Sequence, residues 1–253
     1  MAIGSHDFET LENRVLFSSV LLHGKQLTVE GDAVQGNNIS VSLDKVQKIV
    51  QVNLNGVGYG YHSSEISLIN LVGGAGDDWL HVDEPVSKFS IRVRLIPLGG
   101  NNTVVGGSER DLILCGGSGN DTIYTGNGDD TVVGGAGNDT IIAGNNFKLI
   151  YGAKGNNTIT TGSGRGYIFG GQGSNLIHSG GDSYEVFGGA GDDSLSGGKF
   201  DTLWGGGGHD VLSGGLQRNY RQFSGYVKIK HVLFPDIPTI QTATRTFKVY
   251  IPR

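Results

Sequence analysis

Disulfide bonds, membrane-spanning helices and collagen-like repeats are all excluded by what this chain of 253 residues lacks. It has one cysteine, Cys115, so no intrachain disulfide can form. No stretch approaches the roughly 18 consecutive apolar residues that a membrane-spanning helix needs. There are only five prolines, and the glycines do not recur at every third residue. Something other than disulfides must therefore stabilise the fold.

Catalytic signatures are also scarce. None of the seven histidines stands in the His-Glu-x-x-His spacing of a zinc protease, and paired carboxylates are lacking outside the repeats described below. Cys115 lies beside a strand-like segment, which favours a buried filler over a nucleophile. The sequence therefore predicts a protein that is not an enzyme.

Charge is distributed unevenly along the chain. Residues 214–253 contain seven Lys and Arg against one acid, a net charge of +6, which leaves −11 on residues 1–213. An acidic body repels nucleic acid and attracts cations. We therefore expect cations as partners and no nucleic acid.

Glycine is abundant, with 45 residues, and it follows a period of nine. The pattern is Gly-Gly-x-Gly-x-Asp-x-aliphatic-x, and its cleanest copies begin at Gly73, Gly116, Gly134, Gly188 and Gly205. Thirteen such units fill residues 97–213, with one inserted residue at Cys115 and one deletion near Lys199, after a first copy at 73–81. A unit this short cannot bury an apolar face alone, so the copies must stack.

Position eight of the repeat is aliphatic in every copy. A short strand that shows one side chain inward needs this residue to fill a narrow core. The column comprises Leu80, Val104, Ile113, Ile123, Val132, Ile141, Ile150, Ile159, Ile168, Ile177, Val186, Leu195, Leu203 and Leu212.

Two units form one coil of 18 residues that rises by about 4.8 Å, the spacing of neighbouring strands. Alternate units then stack on the same side, giving two turn faces that differ at position six. The odd turn face has only Asp or Asn there: Asn102, Asp121, Asp139, Asn157, Asn175, Asp193 and Asp210. The even turn face has Asp111, Asp130, Lys148, Gly166, Tyr184 and Asp201.

This repeat resembles the RTX family, the haemolysin-type calcium-binding repeats, over about half of the chain. The resemblance implies an all-β fold, a parallel β-roll or β-solenoid, with Ca²⁺ between neighbouring turns of one face. Ca²⁺ takes about 6–8 oxygen ligands, which two facing turns can supply as glycine carbonyls and Asp carboxylates.

The candidate calcium ligands are three same-side carboxylate pairs: Asp121 with Asp139, Asp111 with Asp130, and Asp193 with Asp210. The carbonyls expected to help are those of Gly117, Gly119, Gly128, Gly135, Gly137, Gly189, Gly191, Gly206 and Gly208. Weaker candidates are Asp78, expected to lack a same-side partner, Asp201, Asn157 and Asn175.

The middle of the array, residues 143–187, departs from the calcium pattern. Asn157 and Asn175 lack the charge of Asp, which either weakens Ca²⁺ binding or replaces it with an amide ladder. Lys148 has two readings: its ammonium lies beside Asp130 in place of a cation, or it is a solvated lysine. We therefore expect two calcium-rich ends around a calcium-poor middle.

The segments on either side of the array also have β patterns. Residues 21–72 read as an N-terminal β-cap, 73–214 as the β-roll, and 215–253 as a basic C-terminal β tail or cap. Residues 1–20 contain Leu11 to Ser18, which resembles a short leader of exported bacterial proteins, and we expect this segment to be disordered.

These features predict a secreted or surface-associated bacterial protein that binds calcium, folds with it, and contacts a cell-surface or matrix component. One alternative is an accessory module of a secreted hydrolase or polysaccharide-modifying enzyme, with a groove near residues 82–96. Another is ligand or ice binding on a flat face, because Thr103, Thr122, Thr140 and Thr158 align at position seven.

Overall fold

A computed structural model describes residues 18–44, 46–83, 91–181 and 183–214, and the backbone of residues 220–221, 224–225 and 249–250. Of the leader-like segment, residues 1–17 lie outside these residues, and residues 19–20 belong to a strand instead of being disordered. The strands expected in the tail also lie outside them, apart from residues 249–250. Among the described residues, no helix has the length and apolar character that crossing a membrane requires.

The described strands, numbered in chain order, form two sheets of eleven strands each. Sheet A has the spatial order β1 (Ser19–His23), β2 (Gln26–Glu30), β6 (Leu68–Gly74), β8 (Arg92–Leu98), β10 (Asp111–Leu114), β12 (Asp130–Ala136), β14 (Asn146–Lys154), β16 (Gly164–Gln172), β18 (Ser183–Ala190), β20 (Thr202–Gly207) and β22 (Tyr220–Arg221).

Sheet B has the order β5 (Val57–His62), β4 (Ile49–Leu54), β3 (Asn38–Asp44), β7 (Trp79–Val82), β9 (Thr103–Val105), β11 (Thr122–Gly126), β13 (Thr140–Ala143), β15 (Thr158–Thr161), β17 (Leu176–Ser179), β19 (Ser194–Gly197) and β21 (Val211–Gly214). A short 3₁₀ helix spans Ser63–Glu65, and β23 (Ser224–Gly225) pairs with β24 (Val249–Tyr250).

From β6 to β21, successive strands alternate between the two sheets, and each pairs in parallel with the strand one coil away. The fold is therefore a parallel β-roll, as the resemblance of the repeat implied. The partner spacing follows the sequence: Ile141 pairs with Ile159, and Ile159 with Ile177, 18 residues apart in each case.

The core is the aliphatic column at position eight. Its members from Leu80 to Leu195 are fully buried, Leu203 is 3% exposed, and Leu212 packs against the core partly buried. Side chains alternate between the two faces of a strand, so each position-eight side chain points inward while its two neighbours in the strand point outward. This prediction is confirmed.

Hairpins cover the N-terminal end of the roll. Strands β1 and β2 pair antiparallel in sheet A, and β3, β4 and β5 form an antiparallel meander in sheet B. Parallel pairing already starts at β2, which lies beside β6, while β3 lies beside β7. The hairpins thus extend both sheets of the roll, and β1 and β5 are strands that the sequence pattern did not indicate.

The strands of sheet A are longer in the middle of the roll than the expected three residues. Strands β14 and β16 have nine residues each and are in register from Asn146 with Gly164 onwards. Lys148 pairs with Gly166 within these strands. The even turn face is therefore extended sheet at the place where the repeat loses its aspartates.

Candidate metal centre

A continuous hydrogen-bond ladder runs along the odd turn face. At each step the backbone N–H of a position-six residue donates to Oδ1 of the equivalent residue one coil further on. The steps run from Asn37 through Asp78, Asn102, Asp121, Asp139, Asn157, Asn175 and Asp193 to Asp210, with donor–acceptor distances of 2.7–3.0 Å. The ladder places these side chains in one buried row.

Asp78 has neighbours on both sides in this row, so the expectation that it lacks a same-side partner is wrong. Its Oδ1 accepts hydrogen bonds from the backbone and the amide of Asn37, both at 2.7 Å, and its N–H donates to Asn102 at 2.9 Å. The sequence reading missed Asn37 because its unit has lost nearly all of its glycines. The remaining signal was the Gly-Asn-x-Ile spacing of residues 36–39.

A second ladder, at position five, lies on the exposed rim of the same turns and runs in the opposite direction. The N–H of Asn138 donates to Oδ1 of Asn120 at 2.7 Å, and the N–H of Asn156 donates to Oδ1 of Asn138 at 2.7 Å. Because the hydrogen bonds of the two ladders run in opposite directions along the roll, together they hold successive turns directly above one another.

Where position six is Asn, its amide supplies hydrogen bonds inside the turn. Nδ2 of Asn157 donates to the carbonyl oxygens of Gly155 and Gly170, at 3.4 and 3.3 Å. Nδ2 of Asn175 donates to those of Gly173 and Gly188, at 3.0 and 3.4 Å. The amide thus bridges carbonyl oxygens of two successive turns.

Where position six is Asp139, Asp193 or Asp210, the corresponding carboxylate oxygen has no such donor. Among the described residues, Oδ2 of each of these three is buried without a hydrogen-bond partner. A Cβ built on Gly134 would lie 2.5 Å from Oδ2 of Asp139 and 2.9 Å from the carbonyl oxygen of Gly152. Gly134 therefore cannot carry a side chain, and two oxygens of the kinds that Ca²⁺ accepts lie close to its Cα.

Burial makes these carboxylates unfavourable in the absence of a cation. Asp139 is fully buried and Asp193 is 1% exposed, and loss of hydration raises the pKa of each to about 6. Both still ionise at neutral pH, so each puts a buried negative charge beside main-chain carbonyl oxygens. A cation would compensate both.

Asp121 differs from these three because of the inserted residue Cys115. The buried Cys115 thiol donates a hydrogen bond to Asp121. Burial, followed by the negative charges of Asp121 and Asp139, raises the pKa of this thiol well above its usual value. Cys115 is thus an unreactive internal donor, consistent with the filler role expected for it.

On the even turn face, Asp111 and Asp130 are stacked but already have donors. The N–H of Asp111 donates to Oδ1 of Asp130 at 2.9 Å, and Oδ2 of Asp111 accepts from the N–H of Gly107 at 2.7 Å. Oδ2 of Asp130 lies 2.9 Å from Nζ of Lys148, and both side chains are fully buried. The reading of Lys148 as a solvated lysine is therefore wrong.

Asp201 also has internal donors. Its Oδ1 accepts from the N–H of Tyr184 at 2.7 Å, and its Oδ2 accepts from the Ser179 hydroxyl and the Gly198 N–H, both at 2.7 Å. Tyr184 is 1% exposed and fills the even turn in the place of a smaller residue. The even turn face is thus closed by side chains of the chain itself.

A family model described as RTX calcium-binding nonapeptide repeat (4 copies) matches residues 70–84, 98–114, 116–146, 149–184 and 187–220, more than half of the chain. The chain belongs to this family. RTX nonapeptide repeats bind Ca²⁺, so this is a calcium-binding repeat protein. Neither a comparison with curated proteins nor one with solved structures yields a match.

The RTX glycines are required by the close stacking of turns. At Gly137 φ is 143°, and a Cβ there would collide with the carbonyl oxygen of Gly119 in the preceding coil. Gly208 stands in the same relation to Gly191. Of the other glycines whose carbonyls were expected to bind calcium, six also have positive φ: Gly119, Gly128, Gly135, Gly189, Gly191 and Gly206. The carbonyl of the remaining one, Gly117, accepts a hydrogen bond from the N–H of Ala136.

Carboxylates alone do not form a metal site in this RTX roll. Within the described ranges, no group of three or more His, Cys, Asp or Glu side chains could hold a metal ion. A cation between turns must therefore take most of its ligands from main-chain carbonyl oxygens, as Ca²⁺ accepts and transition metals do not prefer.

Each of the three carboxylate pairs expected from the sequence is brought together. The N–H to Oδ1 distance is 2.9 Å for Asp121 with Asp139, for Asp111 with Asp130 and for Asp193 with Asp210. Only the last pair has two carboxylates whose Oδ2 atoms both lack donors among the described residues. The three pairs therefore share one sequence pattern but differ in the contacts of their Oδ2 atoms.

Proposed function

We propose that this protein is a non-catalytic RTX roll in which Ca²⁺ binds on the odd turn face, at Asp193 with Asp210 and at Asp139. On the odd turn face, Oδ2 of these three carboxylates is buried with no hydrogen-bond partner among the described residues, and this observation carries the proposal. Removing such a group from water is unfavourable unless it is paired, so the apo roll has sites that favour a cation.

The Asn positions of the same ladder support this assignment. The amides of Asn157 and Asn175 donate to carbonyl oxygens of two successive turns. The Asp residues present an oxygen in the same row, where an added cation can satisfy both the carboxylate and the carbonyls. We therefore propose weak or absent calcium binding at Asn157 and Asn175.

Calcium would then act on the ends of the roll more than on its middle. Asp193 and Asp210 lie in the last two coils of the odd face, beside β19 and β21. Because a preformed site is scarce in the unfolded chain, calcium binding there contributes directly to folding stability. Coupling between calcium and folding is thus proposed for this end.

The same reasoning favours a location outside the cell. RTX calcium sites built mostly from carbonyl oxygens bind best where calcium is plentiful, and the single cysteine, Cys115, rules out intrachain disulfides. Calcium can take over that stabilising role after export. A cell-surface or matrix component remains the proposed partner class.

A non-catalytic role agrees with the placement of the most suggestive side-chain pair. Nδ1 of His178 lies 2.7 Å from Oγ of Ser196, the distance of a base and its nucleophile. Both residues point outward from strands of sheet B, in register across neighbouring strands. On a flat outer face they lack the enclosed pocket that acyl-transfer chemistry requires.

Calorimetric calcium titration of the full chain tests the proposal. The variant Asp193→Asn with Asp210→Asn supplies amides like those of Asn157 and Asn175, so the fold should persist while calcium binding at this end disappears. Asp192→Asn is the matched control, since Asp192 is exposed at position five and its Oδ1 accepts the His209 N–H, as an amide oxygen can.

Loss of at least one bound calcium in the double variant, with none lost in the control, is the expected result. An unchanged calcium stoichiometry in the double variant would refute the site assignment. A wild-type chain that binds no calcium would refute the proposed function as a whole.

A second candidate function is recognition of a flat ligand by sheet B. Thr103, Thr122, Thr140 and Thr158 stand in register on four neighbouring strands, as the sequence predicted. Such a row repeats hydroxyl groups about every 4.8 Å along the roll. An ice-recrystallisation assay of the wild type against Thr122→Val with Thr140→Val tests it, and equal inhibition by both proteins would exclude the row.

A further inference from the structure

Lys148 stands at position six of its repeat, where the pattern has Asp, and oxygen acceptors surround its side-chain nitrogen. It is fully buried, and Nζ lies 2.9 Å from Oδ2 of Asp130. Nζ also donates to the carbonyl oxygens of Gly128 and Asn145. Two of the three N–H donors of the ammonium therefore have carbonyl acceptors, and the Asp130 carboxylate pairs with its charge.

These acceptors come from two successive turns of the even face. Gly128 lies in the turn before β12 and Asp130 is the first residue of β12, while Asn145 precedes β14, the strand that carries Lys148. Carbonyl oxygens and a carboxylate from two turns are the ligand types that the odd face offers at Asp139 and Gly152. A positive charge at Nζ therefore has surroundings of the kind that a bound cation would have.

We propose that the Lys148 ammonium is a built-in cation that replaces a metal ion between the turns of Asp130 and Lys148, closing this part of the even turn face independently of calcium. The inference rests on the proposed calcium-binding function of the other face. It assigns a role to a residue at which the repeat departs from its own pattern.

The backbone around Lys148 supports the same conclusion. Asn146, Phe147 and Lys148 pair with Gly164, Arg165 and Gly166, so strand pairing continues through the turn. The N–H of Phe147 also donates to Oδ1 of Asp129 at 3.1 Å, and the N–H of Asn145 donates to Oδ1 of Asn127 at 3.0 Å. These bonds hold the backbone of Lys148 next to the turn of Asp130. The positive charge of Lys148 there balances the Asp130 carboxylate.

A single substitution should convert this part of the roll from calcium-independent to calcium-dependent. In Lys148→Asp, a carboxylate faces Asp130 in the arrangement that Asp193 has with Asp210. Two buried carboxylates and the nearby carbonyls then require an external cation. Lys148→Met keeps the length of the side chain without its charge, and so leaves Asp130 unpaired in any buffer.

Hydrogen exchange of the full chain, followed by mass spectrometry in chelator and in millimolar Ca²⁺, tests the proposal. In the wild type, residues 128–133 and 144–150, which exclude the proposed calcium turn around Asp139, should be equally protected in both buffers. In Lys148→Met, exchange there should be about a hundredfold faster in both, as expected on breaking a buried ion pair. In Lys148→Asp, protection should be lost in chelator and recovered in Ca²⁺.

Lys154→Met is the control, because Lys154 is an exposed lysine six residues away and should behave as the wild type. The proposal is overturned if protection of residues 128–133 and 144–150 in the wild type requires calcium, or if calcium fails to restore protection in Lys148→Asp. Residues 188–213 report the proposed calcium function separately in each sample. Failure of that function would appear as the absence of a calcium response in this segment of the wild type.

Discussion

The backbone N–H of Asp193 donates to Oδ1 of Asp210 across 2.9 Å, while Oδ2 of both carboxylates is buried with no donor in the described part of the chain. One oxygen of Asp210 therefore aligns neighbouring coils, and the other is left for a ligand. Asp139 shows the same division: its Oδ1 accepts from Asp121, and its Oδ2 has no donor among the described residues. The ladder and the calcium sites thus use different atoms of the same side chains.

Acidification should stabilise the calcium-free protein. Burial raises the pKa of Asp139 and Asp193 from 3.8 to about 6, so the folded state binds protons more tightly than the unfolded state. The destabilising charge is present above pH 6 and is lost as the pH falls through 6 towards 4. In chelator, the melting temperature should therefore rise from pH 7 to pH 5.

The variant Asp139→Asn with Asp193→Asn should largely lose this rise, because neither amide titrates. In calcium the dependence should reverse, since protons compete with Ca²⁺ for the same carboxylates. A melting temperature in chelator that falls steadily from pH 7 to pH 5 would contradict the placement of ionised carboxylates in the dry interior.

Introducing aspartate into the middle of the ladder should create calcium dependence. In Asn157→Asp with Asn175→Asp, the amide donors are lost and two more buried carboxylates face the carbonyls of Gly170 and Gly188. The free energy of unfolding in chelator should fall by about 1–3 kcal/mol for each lost donor. Calorimetry should detect additional bound calcium, and unchanged stoichiometry and stability would show that these amides do not replace a cation.

The aliphatic column should dominate stability irrespective of calcium. Ile159 is fully buried, and Ile159→Ala should lower the free energy of unfolding by about 2–5 kcal/mol. Ile142→Ala is the control, because Ile142 is 42% exposed on sheet B and its loss should change stability by about 0.5 kcal/mol or less. Chemical denaturation in calcium measures both, and equal effects would be inconsistent with a single central core.

Because the turns stack closely, substitution by Ala should destabilise the roll much more at some turn glycines than at others. Gly137→Ala puts a Cβ against the carbonyl oxygen of Gly119 at a φ of 143°, and should destabilise by at least about 2 kcal/mol. Gly207→Ala is the control, since nothing lies within 4 Å of a Cβ there and Gly207 lacks a positive φ. Similar melting temperatures for the two variants would show that the turns are less closely stacked than described.

The sequence alone predicted the parts of this fold that repeat. Ile141 and Ile159 are buried and in register because a period of nine gives each strand one inward residue and each coil 18 residues. The same arithmetic separated the two turn faces and placed Asp193 beside Asp210. These features depend on spacing, which a sequence displays directly.

The internal donors could not be predicted in the same way. Whether Oδ2 of an Asp has a partner depends on nearby atoms such as the Cys115 thiol or the Gly107 N–H, and these vary from turn to turn. Lys148 could be placed at position six, but its burial follows from strands β14 and β16 extending through the turn. That extension depends on pairing between strands, which the nine-residue period does not indicate.

The assignment of calcium to the odd turn face can be checked with a crystal structure determined in calcium, with anomalous scattering recorded. We expect calcium density beside Oδ2 of Asp193, Asp210 and Asp139, and none beside Asn157, Asn175 or Lys148. Density filling every turn evenly through residues 143–187, or absent beside Asp193 and Asp210, would contradict it.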